Sequence, residues 1–204
     1  MGLDSNACRL LLHAKRQGAN FDRTLTLGRL NLGLTRAMMA KVLDEFGFYR
    51  DEAQIERIYT DSKGFVETFL TEIGADGAES LDATTYEGAT HVHDLNTELP
   101  ASFNGQYDAV IDGGTLEHVF NFPVALKSAM QAVKPGGRLF IITQCNNAMG
   151  HGFYQFSPEL YYRVFSPENG FRVDDMFISE GSFGQVPWHS VSDPAVIRRR
   201  VELV

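Results

Sequence analysis

Short apolar runs alternate with segments of helical periodicity, most clearly between Tyr107 and Ile142. The continuous apolar run Ala109–Ile111 predicts a strand covered on both faces, and Leu139–Ile142 predicts a second one. Between them, Pro123 marks a helix start, and apolar residues then recur every three to four positions. Lys134–Gly137 predicts the turn that ends this helix. The segment therefore reads as strand, loop, helix, turn and strand.

The first half of the chain is less regular but contains a similar unit. Ala7–Gln17 has the apolar spacing of a short helix, within an N-terminal helical region over residues 1–20. Thr24–Leu27 is β-prone, and Thr35–Phe46 is helical by periodicity. We predict the first sheet strand at Thr24–Leu27 and a helical insertion at residues 51–76. The alternative puts the first strand at Ile55–Thr60, and the pattern leaves both open.

Later segments complete a predicted single domain over residues 1–204. Glu79–Asp82 and Thr90–Asn96 read as short strands, the second by its alternation of side chains. Phe171–Ser179 is predicted as a sixth strand, without an evident hairpin to a seventh. Arg200–Val204 is a candidate final strand. Strands that alternate with helices favour an α/β fold.

Composition narrows the function classes. The net charge of −8 argues against a protein that binds duplex nucleic acid, which usually presents a basic face. No apolar run is long enough to span a membrane, and the N-terminus lacks the apolar core of a signal peptide. Cys8 and Cys145 lie far apart and read as reduced thiols. We therefore expect a cytoplasmic protein with neither nucleic acid nor membrane as a partner.

Five motifs in order resemble class I S-adenosylmethionine-dependent methyltransferases of the type 11/23 kind. The Tyr107–Ile142 segment contains YDAVI at Tyr107–Ile111, LEHV at Leu116–Val119 and VKPGG at Val133–Gly137. Downstream, FSPEL at Phe156–Leu160 and NGF at Asn169–Phe171 continue the likeness. The resemblance covers residues 90–178, and it implies a three-layer Rossmann-like fold with a mostly parallel central sheet and helices on both faces.

The resemblance also implies S-adenosyl-L-methionine as cofactor, bound at the carboxyl ends of the strands. The expected contacts are Gly28, Gly33, Asp82, Asp94, Leu95, Asp112, Gly113 and Gly114. The glycine-rich loop departs from the family pattern, because Leu30 and Asn31 fill its middle. For Asp82, contact with the ribose hydroxyls and a turn-capping role remain equally open.

Glu117 and His118 are the candidate catalytic residues. In the coenzyme Q O-methyltransferase branch, E-x-x-E-H at this loop accompanies a divalent metal, but Gly114 stands here in place of the first acid. We therefore expect no metal, and interpret His118 as a general base, since imidazole titrates near neutral pH. The alternative is that Glu117 and His118 only cap the next helix and anchor the loop.

The loop Gln144–Phe156 follows the fifth strand at the same edge. Its polar, aromatic and glycine residues suit an acceptor-binding wall, with Asn146, His151 and Tyr154 as candidate contacts. The function that the resemblance implies is O- or N-methylation of a small molecule, such as a sugar or a natural-product intermediate. The alternative is a methyltransferase-fold protein without catalysis that serves as a scaffold or binding partner.

Overall fold

The computed structural model describes residues 2–181 and 186–198. The strands are β1 (Gly2–Leu3), β2 (Thr24–Leu27), β3 (Asn31–Leu32), β4 (Ala78–Asp82), β5 (His91–Val92), β6 (Tyr107–Gly113), β7 (Val133–Ile142), β8 (Phe177–Ile178) and β9 (His189–Ser190). The helices are α1 (Ser5–Arg16), α2 (Arg36–Glu45), α3 (Glu52–Thr60), α4 (Glu67–Glu72), α5 (Phe122–Ala132), α6 (Pro158–Val164) and α7 (Pro194–Ile197).

Five parallel strands form the central sheet in the order β5-β4-β2-β6-β7. Counted along the chain within this sheet, the order is 3-2-1-4-5, the doubly wound arrangement of Rossmann-like folds. The strand order reverses between β2 and β6. Ligands of such sheets bind in the crevice outside the carboxyl ends of the strands at that point.

Side chains of β6 alternate between two separate apolar cores. Ala109 and Ile111 pack on one face with residues of α1 to α4, and Val110 packs on the other with residues of α5 and α6. Successive strand residues point to opposite faces, so the continuous apolar run reflects helices on both sides. The predicted three-layer α/β architecture is confirmed at this level.

The structure distinguishes between the two predicted positions of the first sheet strand. Thr24–Leu27 forms β2 at the centre of the sheet, whereas Ile55–Thr60 lies in helix α3, so the alternative alignment is wrong. The Asp51 side chain accepts a hydrogen bond from the Gln54 amide, and the Gln54 side chain accepts one from the Asp51 amide. This capping box starts a helix and is visible in the sequence. The predicted helical insertion at 51–76 contains α3 and α4.

Strand β7 is longer than predicted and absorbs the expected turn. Its pairing with β6 passes from Tyr107–Val133 to Ala109–Arg138, so Lys134–Gly137 forms a bulge within the strand. Gly137 packs so closely on the backbone that a Cβ would lie 2.8 Å from the Asp108 carbonyl oxygen. Helix α5 ends directly before this strand, at Ala132.

Two further predicted strands, Phe171–Ser179 and Thr90–Asn96, are shorter in the structure. Only Phe177–Ile178 of the predicted strand Phe171–Ser179 is a strand, and it pairs antiparallel with β9 in a small separate sheet. Similarly, only His91–Val92 of Thr90–Asn96 pairs in the central sheet. Short polar strands with few ladder partners carry little periodic signal. The candidate strand Arg200–Val204 lies outside the described residues.

The N-terminal segment folds back onto the sheet. Strand β1 pairs with β3, and Asp4 caps α1 by accepting a hydrogen bond from the Ala7 amide at 2.8 Å. Leu3 is completely buried in the core beside α1. Across residues 2–181 and 186–198, no helix has the length and apolar character needed to cross a membrane.

Candidate functional site

Asp112, the penultimate residue of β6, is completely buried. Its Oδ1 accepts hydrogen bonds from the Thr115 amide at 2.8 Å and the Leu116 amide at 3.3 Å, which fold the following loop around it. Burial raises the pKa of Asp112 to about 7, and the nearby Glu117 carboxylate adds to the rise against the effect of the amide donors. Asp112 therefore holds a proton through the acidic range and releases it near neutrality.

Four buried oxygen atoms near this strand end have no hydrogen-bond partner among the described residues. They are Asp112 Oδ2, Glu117 Oε2, Thr143 Oγ1 and the Tyr161 hydroxyl. Burial raises the pKa of Tyr161, and the charges of Asp112 and Glu117 raise it further, which places the three groups near one another. Buried polar atoms normally have partners, so such a cluster indicates a site for water or a ligand.

Glu117, His118 and His151 form a cluster at the mouth of this region. One donor atom from each side chain lies within 4.8 Å of the others. His151 Nε2 is 3.9 Å from Glu117 Oε1, and the two imidazole rings meet edge to face with centroids 4.8 Å apart. Glu117 is buried, whereas both histidines are exposed. The arrangement provides a fixed carboxylate beside two accessible imidazoles.

Backbone contacts hold the His151 loop against Glu117. The Glu117 carbonyl accepts hydrogen bonds from the amides of Phe153 at 2.7 Å and Tyr154 at 3.3 Å. Between His151 and Phe153, Gly152 has a φ of 71°, and a Cβ there would lie 2.8 Å from the Glu117 carbonyl oxygen. Only glycine fits this position without displacing the loop.

The predicted substrate residues have different surroundings. The Tyr154 hydroxyl donates to the Phe120 carbonyl at 2.7 Å, and its ring packs between Phe122 and Phe156, so Tyr154 serves to hold the loop. Asn146 is exposed, and its side chain accepts from the Asn147 amide at 2.9 Å. His151 joins the cluster described above.

An open groove of about 2200 Å³ runs along β7 and reaches this cluster. Gly113, Gly114, Glu117, His151 and Tyr161 line it at the cluster. Nearby, Phe120, Met149 and Phe153 expose 71%, 89% and 66% of their surfaces, and the Phe120 and Phe153 rings contact each other. The site thus combines a buried acid with an exposed apolar rim.

The two predicted nucleoside-contacting acids lie elsewhere on the same sheet edge. Asp82 ends β4, and Asp94 follows β5, the neighbouring strand. Each carboxylate uses Oδ1 to cap a turn, Asp82 for the Thr84 amide at 3.0 Å and Asp94 for the Asn96 amide at 2.9 Å. Hydrogen bonds from the backbone amide and the side chain of Asn96 hold the pKa of Asp94 below its ordinary value. The capping role expected as one option for Asp82 is therefore present, and within residues 2–181 and 186–198 the hydrogen bonds of both acids involve Oδ1 alone, which leaves Oδ2 for a ligand. Leu95, by contrast, is buried in the core beside α5.

In the loop Gly28–Gly33, the side chain of Leu30 fills the space where a ligand was expected. Leu30 is completely buried and lies against Gly113, where a Cβ would be 2.8 Å from Leu30 Cδ1 and 3.0 Å from Leu3 Cδ2. The Gly33 amide donates to the Leu3 carbonyl at 2.8 Å, and the Gly28 amide donates to the Leu81 carbonyl at 2.6 Å. The glycines of this loop thus accommodate protein backbone.

S-adenosylmethionine fits these residues in part. Asp82 and Asp94 offer free carboxylate oxygens to hydroxyl and amino groups, and Gly114 lines the open groove. The crevice between β2 and β6 does not fit, because Leu30 and Leu3 fill the space beside Gly113. A bound cofactor would have to place its methionine end on the Gly114 side, towards Glu117.

Neither cysteine suits covalent chemistry. Cys8 is buried and Cys145 is partly buried, and burial raises the pKa of both thiols. A thiol in such surroundings stays protonated at neutral pH and is a poor nucleophile. This leaves the carboxylates and imidazoles as the reactive groups of the site.

Sequence reasoning missed three features of the site. The contact of His151 with Glu117, the buried hydroxyl of Tyr161 and the position of Leu3 all depend on residues distant in sequence. One signal was available, since loops that follow adjacent parallel strands meet at the same edge of a sheet. A second signal was Gly152, which lies between the candidate substrate contacts His151 and Tyr154.

No model of a known protein family matches the chain, and no curated protein is significantly similar to it.

Proposed function

We propose that the protein is an S-adenosylmethionine-dependent methyltransferase that acts on a small-molecule acceptor. The observation that carries this proposal is the arrangement of polar groups along one edge of the doubly wound sheet. Asp82 and Asp94 lie at the ends of β4 and β5, and the Glu117–His118–His151 cluster lies beyond β6. The motif likeness at residues 107–142 supports the same reading.

The two ends of this edge suit two different parts of the reaction. Free carboxylate oxygens at Asp82 and Asp94 suit the hydroxyl and amino donors of a nucleoside. At the other end, the apolar surfaces of Phe120, Met149 and Phe153 suit an acceptor with an apolar or aromatic face. The open groove along β7 gives the acceptor access to Glu117 and His151.

The chain's own task in methyl transfer is alignment and removal of a proton. When bound, the cofactor would supply an electrophilic methyl group for the acceptor oxygen or nitrogen, and its sulfur would keep the electron pair of the bond that breaks. His118 is exposed beside Glu117 and takes the acceptor proton, while buried Glu117 stabilises positive charge on a neighbouring imidazole. Burial of Glu117 keeps water from competing for its contact with the imidazole.

A thermal-shift comparison tests the proposal. Unfolding temperature is measured with S-adenosylhomocysteine, with NADH and with ATP at millimolar concentration. A ligand that binds only the folded state raises the unfolding temperature. We expect a rise with S-adenosylhomocysteine alone, and a rise with NADH alone would instead indicate a dehydrogenase.

A second candidate is a non-catalytic scaffold on the same fold. The observation that favours it is the packing of Leu30 and Leu3 against Gly113, in the crevice where such sheets bind ligands. Under this alternative, none of the three ligands changes the unfolding temperature.

A further inference from the structure

We propose that Glu117, His118 and His151 bind a divalent transition-metal ion, with Zn²⁺ as the best match. The three side chains come from two different loops, which follow β6 and β7. The preceding acid position of the loop is occupied by Gly114, and His151 is distant from Glu117 and His118 in sequence. The structure supplies a third ligand from the neighbouring loop.

The distances are close to those of a metal site. The donor atoms lie within 4.8 Å of one another, and the His151–Glu117 separation is 3.9 Å. Ligand bonds of about 2.0 to 2.2 Å put tetrahedral ligands about 3.3 to 3.6 Å apart. Closing the site therefore requires movements of about 1 Å by the two imidazole rings, both of which are exposed.

An independent observation points to a ligand at the same place. Glu117 exposes only 1% of its surface, and its Oε2 has no hydrogen-bond partner in the described part of the chain. A buried carboxylate oxygen without a partner is costly, and a cation removes that cost. Among the residues that the structure describes, the one basic side-chain nitrogen within 4.0 Å of the Glu117 carboxylate is His151 Nε2, at 3.9 Å.

The protein holds the site together before a metal arrives. Two backbone hydrogen bonds join residues 153 and 154 to the Glu117 carbonyl, and Gly152 allows the close approach. The hydrogen bond from the Tyr154 hydroxyl to Phe120 ties the same two loops a second time. Preorganised ligands lose little conformational freedom on binding, so the affinity rises.

Ligand chemistry selects the class of ion. Two imidazoles and one carboxylate favour Zn²⁺ or another late first-row ion over Mg²⁺ and Ca²⁺, which prefer oxygen ligands. Three protein ligands leave positions open to water or to a substrate atom. An acceptor hydroxyl bound there would lose its proton more readily, and His118 would then be a ligand instead of a base.

Cobalt absorption spectroscopy tests the site in the absence of any cofactor, so its outcome is independent of the methyltransferase proposal. Metal-free protein is titrated with Co²⁺, and the visible bands of a low-coordinate Co²⁺ ion are followed. We expect saturation at one ion per chain and displacement of Co²⁺ by Zn²⁺. His151→Ala should weaken binding at least tenfold, whereas His189→Ala, at an exposed histidine of β9, should leave it unchanged.

Two glycine substitutions distinguish an effect on metal binding from an effect on folding. Gly152→Ala keeps all three ligands but moves the His151 loop away from Glu117, so it should also weaken Co²⁺ binding. Gly150→Ala is the matched control, because Gly150 has a similar φ of 79° and nothing within 4 Å of an added Cβ. Circular dichroism of the metal-free variants establishes that each is folded.

Two results would overturn the metal site. One is the absence of saturable Co²⁺ bands in the folded wild-type protein. The other is binding that His151→Ala and His189→Ala weaken equally, which would indicate unspecific contact with surface histidines.

Discussion

The Leu30 side chain lies against Gly113, with Cδ1 2.8 Å from the position of a Cβ on that glycine. Leu30 belongs to the loop after β2, and Gly113 ends β6. The two residues therefore close the crevice between the strands at which the order of the sheet reverses. Because Gly113 has no side chain, Leu30 can pack against it. This contact explains why glycine is needed at position 113 although its φ is not positive.

Gly113→Ala should lower the free energy of unfolding. The added methyl overlaps Leu30 and Leu3, and overpacking of this kind costs about 1 to 3 kcal/mol. Leu30→Ala should cost about 2 to 5 kcal/mol by leaving a cavity. Urea denaturation of both variants measures these changes.

The double variant provides the control. Removal of the Leu30 side chain makes room for the methyl at position 113, so the double variant should lose about 1 kcal/mol less than the sum of the single changes. Strict additivity would contradict the direct contact between the two residues.

Asp112 should make stability fall as the pH rises from about 4 to 7. The unfolded carboxyl ionises near its ordinary pKa of 3.8, whereas the buried group keeps its proton up to about 7. Over this range the unfolded state binds fewer protons, so the free energy of unfolding decreases with pH. Asp112→Asn removes this contribution, and its stability relative to wild type should be higher at pH 8 than at pH 5 in urea denaturation.

Asp108, four residues earlier on β6, is the matched control. Burial acts to raise its pKa, but hydrogen bonds from Lys134 at 2.7 Å and the Arg23 amide at 3.1 Å hold it below its ordinary value. Its contribution is therefore present above about pH 4 and is lost only in more acidic solution. Asp108→Asn should destabilise equally at pH 5 and pH 8, and an equal effect of Asp112→Asn at both values would contradict the raised pKa.

Asp94→Asn should weaken the binding of S-adenosylhomocysteine about tenfold. The amide oxygen of the new side chain can still accept from the Asn96 amide, so the turn is kept while the charge is lost. The neutral amide is a weaker acceptor than the carboxylate for the donors of a nucleoside, so the ligand loses a charge-assisted hydrogen bond. Calorimetric titration gives both affinities.

His118→Ala should leave that affinity within about twofold and slow methyl transfer, since the imidazole lies at the acceptor end of the edge. Equal loss of affinity and turnover in this variant would remove His118 from the chemical step.

The pattern of apolar residues predicted most of the sheet. Ala109–Ile111 is buried on both faces and leaves a continuous apolar run, whereas Thr24–Leu27, which is also buried, was predicted from its β-prone residues. Phe171–Ser179 was predicted as one strand, but only two of its residues pair, because the edge hairpin depends on tertiary contacts that carry no periodicity. Lys134–Gly137 is predicted as a turn but forms a bulge, because the bulge is defined by the pairing of β7 with β6 and the sequence of β7 alone does not report that pairing.

The candidate site was predictable by region and not by contact. The sequence indicated the loops after β6 and β7, and the order of the strands brings these loops together. The 3.9 Å contact of His151 with Glu117 depends on Gly152 and on two backbone hydrogen bonds, which no spacing rule reports. Likewise, Leu30 was expected to disturb the glycine loop, but only the fold reveals that it packs inward onto Gly113.

Isothermal titration of the wild-type chain with S-adenosylhomocysteine tests the proposed function most directly. We predict saturable heat with one ligand bound per chain, weakened in Asp94→Asn and retained in His118→Ala. No heat at millimolar ligand, with protein that is folded by circular dichroism, would contradict the methyltransferase proposal and favour the non-catalytic scaffold.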